Sequence, residues 1–225
     1  MVGFPKDVEE IYFDDDGILS AAHQGQILVD MTTSKPELAQ RIADAGEKAG
    51  AQVLDAPVSG GDIGAKNGTL TVMVGGDQST LVFLQPLFNE FATSTKYFGP
   101  AGSGQNTKMA NQIMIAGTMT GMCEAFVYAK AAGLDLKEVM TTLQAGAAEN
   151  FSMGSYGPRI LKNDYTPGFF AKHFLKDLRI ALETAKQMQI DLPATKEAAR
   201  LYKILVDKKG LGDDGTQALI KLWWN

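Results

Sequence analysis

The chain holds one cysteine, Cys123, in 225 residues. No intrachain disulfide can form, so a disulfide-stapled secreted scaffold is excluded and a reducing, cytoplasmic setting is expected. Cys123 lies in a long apolar stretch and reads as a buried, inert thiol. Histidine is almost as scarce. His23 and His173 stand alone, with no cysteine or second histidine nearby, and no metal site is expected. A basic excess is missing too. The net charge is −5 at pH 7, which argues against nucleic acid or an anionic membrane as the main partner. No signal-peptide pattern opens the chain, since Met1-Val-Gly-Phe-Pro-Lys-Asp7 turns acidic at once. Residues 113–134 approach membrane length, but Glu124, Lys130 and many small residues interrupt them. A buried or interface helix is the better reading. With 45% hydrophobic and 21% charged residues, the composition is that of a globular, soluble protein.

Charge is unevenly spread. Residues 1–98 carry 6 basic and 14 acidic side chains, a net −8, against 15 and 12, a net +3, in residues 99–225. The rhythm of elements changes at the same place. Before Gly99-Pro100, helix and strand alternate. A short helix is expected over 7–13, with strands at 26–31, 51–55, 70–74 and 95–98 and helices at 36–49 and 77–91. Thr32-Thr33-Ser34 would cap the helix that begins near Pro36. Asn67-Gly68 reads as a tight turn leading into a strand. Such alternation implies an α/β layer on a largely parallel sheet. After residue 100 only helices are expected, near 104–132, 135–145, 152–162, 169–189, 193–209 and 213–223. There is no internal repeat.

Lys108 is the only charged side chain between Lys96 and Glu124. Asn111 and Gln112 follow it at i+3 and i+4, so the three can share one helix face. Burial and the positive end of a helix both disfavour a charged lysine, which suits proton transfer near neutral pH. An ordinary solvated lysine at a helix start is the equally weighted alternative. Ser59-Gly60-Gly61 follows a strand and Pro57. Paired glycines let backbone N–H groups converge on an anion, and the serine hydroxyl adds a donor; a plain strand-to-loop turn is the competing reading. Thr32-Thr33 ends a strand at the edge where doubly wound folds hold nucleotides. Lys176 and Asp177, taken alone, read as an exposed ion pair on a helix. Met114, Met119 and Met122 read as core or dimer packing.

Three elements together, Asp55-Ala-Pro-Val-Ser-Gly-Gly61, Gly102-Ser-Gly-Gln-Asn-Thr-Lys108 and Lys176-Asp-Leu178 near Gly168-Phe169, occur in one order over nearly the whole chain. In this the sequence resembles the β-hydroxyacid dehydrogenase family. The resemblance implies a partial doubly wound, Rossmann-type sheet over 1–99, followed by an all-helical domain over 100–225 for catalysis and dimerisation. It implies an oxidoreductase that interconverts a small 3-hydroxy acid and its semialdehyde with NAD or NADP. Lys108 would be the general acid and base, with Asn111 or Gln112 orienting the hydroxyl. The family's usual asparagine at i+4 is replaced here by Gln112, and the order Asn-Gln resembles the tartronate semialdehyde reductase branch. Ser59, Gly60 and Gly61 would hold the substrate carboxylate, with Phe169 and Asp177 close by. Thr32, Thr33 and Lys176 would contact the cofactor. A homodimer or homotetramer is implied.

One family element has no counterpart. The glycine turn G-x-G-x-x-G that opens the family's first helix is read as having no match in the chain, and Gly99-Pro-Ala-Gly102-Ser-Gly104 has the wrong spacing. The chain therefore reads as a family sequence begun at an internal methionine. Weak dinucleotide binding is expected, with apolar surface from Ile27-Leu28-Val29 left open at the sheet's inner edge. The competing reading from another class is a non-catalytic helical dimerisation module with a remnant nucleotide fold.

Overall fold

The computed structural model describes residues 1–224. It divides into two compact units, Met1–Ala110 and a second that begins at Asn111. The first alternates helix and strand in the order α1 (Pro5–Phe13), β1 (Ile27–Asp30), α2 (Pro36–Lys48), β2 (Gln52–Asp55), β3 (Val58–Ser59), α3 (Gly61–Asn67), β4 (Leu70–Gly76), α4 (Gln78–Phe88) and β5 (Ala92–Gly99). Pro36 opens α2, where its missing N–H costs nothing. The Asp77 side chain caps α4 by accepting the Thr80 N–H at 2.8 Å.

The sheet is mixed, not largely parallel as the alternation of elements suggested. β1 pairs parallel with β2, and β4 parallel with β5, but β2 and β3 both run antiparallel to β4. Asp55 faces Gly75 and Ser59 faces Thr71, so the register continues unbroken across Ala56-Pro57. The reason is length. Only residues 60–69 separate β3 from β4, shorter than a parallel crossover needs. Those residues contain α3, which the sequence pattern did not show. Gly68, at φ 66°, is therefore the left-handed end of a helix and not part of a hairpin turn.

Both faces of this sheet are covered. Leu28 joins Val8, Tyr12, Leu38 and Ile42 from α1 and α2. Its neighbour Val29 packs on the opposite cluster of Leu54, Val72, Leu81 and Phe88, as the strand's alternation requires. β1 lies at one end of the strand order, yet the apolar exposure expected there is small. Leu28 is buried and Ile27 and Val29 are half-buried, because helices cover the side chains even where the strand's backbone has one neighbour.

α5 (Ser103–Ala131) runs on into the second unit, which continues with α6 (Leu136–Gln144), α7 (Phe151–Ser155), α8 (Gly157–Leu161), α9 (Ala171–Gln187) and α10 (Pro193–Lys203). Here too the details differ from expectation. The helix expected over 152–162 breaks at Tyr156, since Pro158 has no N–H to give and crowds the carbonyl four residues back. The one expected to 209 changes to a π turn at Ile204–Lys208, and Thr216–Leu222 is 3-10 helix. The core gathers Met119, Met122, Cys123 and Phe126 of α5 with Phe174 and Leu178 of α9 and Tyr202 of α10. Met114 is exposed, unlike Met109, Met119 and Met122 of the same helix. Among the described residues no helix is long and apolar enough to cross a membrane.

Candidate functional site

The strand ends of the first unit meet the start of α5 backbone to backbone at Gly75 and Gly104. A Cβ on Gly104 would lie 2.5 Å from the carbonyl oxygens of Asp55 and Met73, and one on Gly75 would lie 2.5 Å from the Asp55 carboxylate. Only glycine permits that approach. Gly102, at φ 89°, makes the turn into the helix. The glycines of Gly102-Ser-Gly104 thus serve helix-to-sheet contact, whereas a pyrophosphate turn would leave such backbone open to ligand.

A buried carboxylate occupies this junction. Asp55 Oδ1 accepts the Gly102 N–H and Oδ2 accepts the Gln105 N–H, each at 2.8 Å. Burial pushes the Asp55 carboxyl up to about 6, against the two hydrogen bonds that favour its charged form, and the nearby Asp30 adds to the rise. Gln105, 0% exposed, reaches the other way. Its Nε2 donates to the Thr32 carbonyl at 2.7 Å and its Oε1 accepts the Ser34 N–H at 2.9 Å. Asp30 accepts the Thr32 N–H at 2.9 Å. Thr32 is buried and Thr33 half-buried. Neither caps α2, whose N-cap is Lys35; the Thr32 hydroxyl instead accepts the Val2 N–H at 3.0 Å.

Lys108 stands one turn past Gln105. It is 7% exposed, which sets aside the solvated-lysine alternative, and its Nζ donates to the Val58 carbonyl at 2.8 Å. The next residues are Ser59, half-buried, and Gly60 and Gly61, both exposed and with φ of 128° and 64°. Lysine amine, serine hydroxyl and two glycine amides therefore lie along one short stretch of chain.

In the second unit, Asn111 Nδ2 donates to Gln112 Oε1 at 2.8 Å, and Gln112 Nε2 donates to Asp177 Oδ2 at 2.6 Å. Lys176 Nζ stands 2.9 Å from Asp177 Oδ1. The Lys176 and Asp177 side chains are 11% and 1% exposed, so the exposed surface pair read from sequence is wrong: the pair ends a buried polar chain of four residues. Phe169, half-buried, packs edge-on against Phe174 with ring centres 5.7 Å apart.

Sequence reasoning missed Asp55 and Gln105 as site-forming residues. The signal was there in Asp55 at the head of Asp-Ala-Pro-Val-Ser-Gly-Gly and in Gln105, the amide directly after Gly104 and one turn before Lys108. Sequence reasoning also passed over Gly210-Leu-Gly-Asp-Asp-Gly215, which has the spacing of a dinucleotide turn. It follows no strand, however, and its Asp213 and Asp214 are ion-paired with Lys172 and Lys221, so it lacks the strand-to-helix setting of a dinucleotide turn. Among the described residues no cluster of three or more histidine, cysteine or acidic side chains could hold a metal.

Residues 1–99 match the family model described as the NAD binding domain of 6-phosphogluconate dehydrogenase. Residues 102–223 match the one described as the NAD-binding of NADP-dependent 3-hydroxyisobutyrate dehydrogenase. The chain is 48% identical to the uncharacterized oxidoreductase YkwC of Bacillus subtilis over 223 residues, 99% of this chain and 77% of that protein. It is 37% identical to 2-hydroxy-3-oxopropionate reductase of Escherichia coli over 202 residues, 90% of this chain and 69% of the relative. Among solved structures, the 3-hydroxyisobutyrate dehydrogenase of Mycobacterium tuberculosis with L-serine superposes with a TM-score of 0.90 at 28% identity, covering 100% of this chain and 78% of that one.

Proposed function

The chain belongs to the β-hydroxyacid dehydrogenase family, and from that premise we propose that it interconverts a small 3-hydroxy acid and its semialdehyde with NAD or NADP. The observation that carries the reading is the buried Lys108 amine, 2.8 Å from the Val58 carbonyl and next in line to Ser59-Gly60-Gly61. An amine so placed can serve a substrate oxygen whose neighbouring carboxylate is held by that loop. When bound, the reduced nicotinamide supplies the hydride and the oxidised form receives it. In reduction, the aldehyde carbon gains the hydride and Lys108 gives its proton to the carbonyl oxygen, leaving a primary alcohol and a neutral amine. In oxidation the amine takes the hydroxyl proton back.

The remaining roles follow from chemistry. The Ser59 hydroxyl and the Gly60 and Gly61 amides hold the carboxylate. Gln112 has its amide engaged at both ends by Asn111 and Asp177, which leaves Asn111, half-buried on the same turn, as the amide that orients the hydroxyl. Phe169 and Asp177 shape the substrate side. Thr32 and Thr33, at the end of β1, fit the nicotinamide ribose, and Lys176 contributes a cation to the dinucleotide. The substrate class agrees with the Escherichia coli relative, named for 2-hydroxy-3-oxopropionate, and with the Mycobacterium tuberculosis structure that holds L-serine. The protein works as a homodimer or homotetramer, for which Met114, Gly117 and Gly121, exposed along one side of α5, offer a close-packing seam.

Lys108→Ala tests this most directly. Steady-state assays with short semialdehydes and both nicotinamide cofactors should show kcat lower by about a hundredfold or more, the scale of a lost proton donor. Normal turnover by the variant would remove Lys108 from the chemistry.

A further inference from the structure

An ordinary helix N-terminus is capped by the residue just before it. α5 is capped by a carboxylate borrowed from β2, 47 residues earlier at Gly102 and 50 earlier at Gln105. A local cap ends a helix; a cap from a strand also fixes where the helix stands on the sheet. Two carboxylate oxygens on two N–H groups three residues apart fix more still, because they set the helix's roll about its axis. Gln105 adds two anchors in another direction, to the Thr32 carbonyl and the Ser34 amide beyond β1. Roll matters because each residue turns a helix by about 100°. Gln105 and Lys108, three apart, lie on nearly the same face, so the residue that is anchored is the one that aims the lysine.

Burying this carboxylate is costly, and a well-packed apolar contact would hold a helix to a sheet without that cost. What an apolar contact would lack is direction. From this geometry we infer that Asp55 and Gln105 are positioning residues, a clamp that sets the roll and height of α5 and so brings the Lys108 amine to the Val58 carbonyl beside the Ser59-Gly60-Gly61 loop. The catalytic consequence of that placement rests on the reading of Lys108 as proton donor given above. The clamp itself does not, since it concerns only where the amine stands.

The test reads the amine directly in the full chain. Lysine labelled with carbon-13 at Cε gives one side-chain signal per lysine in an NMR spectrum, and Lys108→Arg identifies which belongs to Lys108. Asp55→Asn removes one of the two acceptors at nearly constant size; Gln105→Met keeps length and removes both side-chain anchors. In each folded variant the Lys108 signal should move toward those of the exposed lysines, while the signals of lysines in the second unit stay in place. Amide exchange at residue 102 or 105, whichever loses its acceptor, should rise about tenfold in Asp55→Asn. In turnover assays both variants should lose about tenfold or more in kcat, the scale of a small misplacement, with KM for the dinucleotide within about twofold. A Lys108 signal that holds its position in either folded variant overturns the clamp. If the signal moves while turnover is unimpaired, the clamp stands and the proton-donor reading falls.

Discussion

The two units hold their candidate site residues by different means. In the first, polar atoms do the holding. Strand ends and helix start approach until only glycine fits, and a carboxylate and an amide fill the junction with hydrogen bonds that span 47 to 73 residues. In the second, a packed core backs a short polar chain. Large side chains of α5, α9 and α10 fill one core, and the polar chain from Asn111 to Lys176 lies beside it. A backbone-to-backbone junction fixes direction sharply and tolerates no added atom. A packed core fixes position through many weak contacts and tolerates no lost one. The first arrangement suits a group that must be aimed, and the second a surface that must stay rigid.

The contrast can be broken most forcefully in the second unit. Phe174 is 0% exposed and its ring meets Tyr202 edge-on at 4.9 Å. Phe174→Ala should cost roughly 3–5 kcal/mol in urea unfolding, and hydrogen exchange should place the loss in α9 and α10 first. An equal loss of protection in β2 and β4 would mean that the units do not unfold separately.

A pH series sharpens the other side. The Asp55 carboxyl is raised in the folded protein to about 6, from an unfolded value of 3.8, chiefly by burial. A raised value means that the fold favours the protonated form. The associated stability is full below about pH 4 and disappears as pH climbs through 6, by on the order of 3 kcal/mol. The quantity to measure is the stability of the wild type minus that of Asp55→Asn. That difference should fall between pH 4 and 6 and stay level above 7. A difference that is flat over the whole range would show that Asp55 is not buried as a charge.

Gly104→Ala is the gentlest of the three. Its new methyl would press on the carbonyl oxygens of Asp55 and Met73 at 2.5 Å, and the helix start must shift to admit it. The expected cost is roughly 1–3 kcal/mol, read as a lower urea midpoint. Unchanged stability would show that the junction has slack.

Much of this was open to reading in the sequence, for reasons that differ by residue. The 29-residue α5 followed from an uninterrupted run of helix-compatible residues after Gly102. The isolation of Lys108 raised burial as one of two equal readings, and the 7% exposure decided between them. What escaped notice involved partners far apart in the chain. The antiparallel junction was hidden because Ala56-Pro57 passes through without turning, so nothing local marks which neighbour β4 will choose. α3 was missed since seven residues, Gly-Asp-Ile-Gly-Ala-Lys-Asn, are too few to show a helical period and begin with glycine. Asp55 and Gln105 carry no periodic signal. Their meaning comes from a meeting across the fold, which only coordinates display.

Cys123 has a last consequence. It is wholly buried, and burial pushes its thiol far above the usual range, so at neutral pH it is both unreachable and protonated. The protein thus carries a silent thiol as its sole cysteine. A single reporter cysteine introduced elsewhere would be the only one a thiol reagent meets. Ile63 in α3, 64% exposed and four residues past Ser59, is a natural place for such a probe, where a fluorophore would register anions settling into the loop with no background from the native side chain.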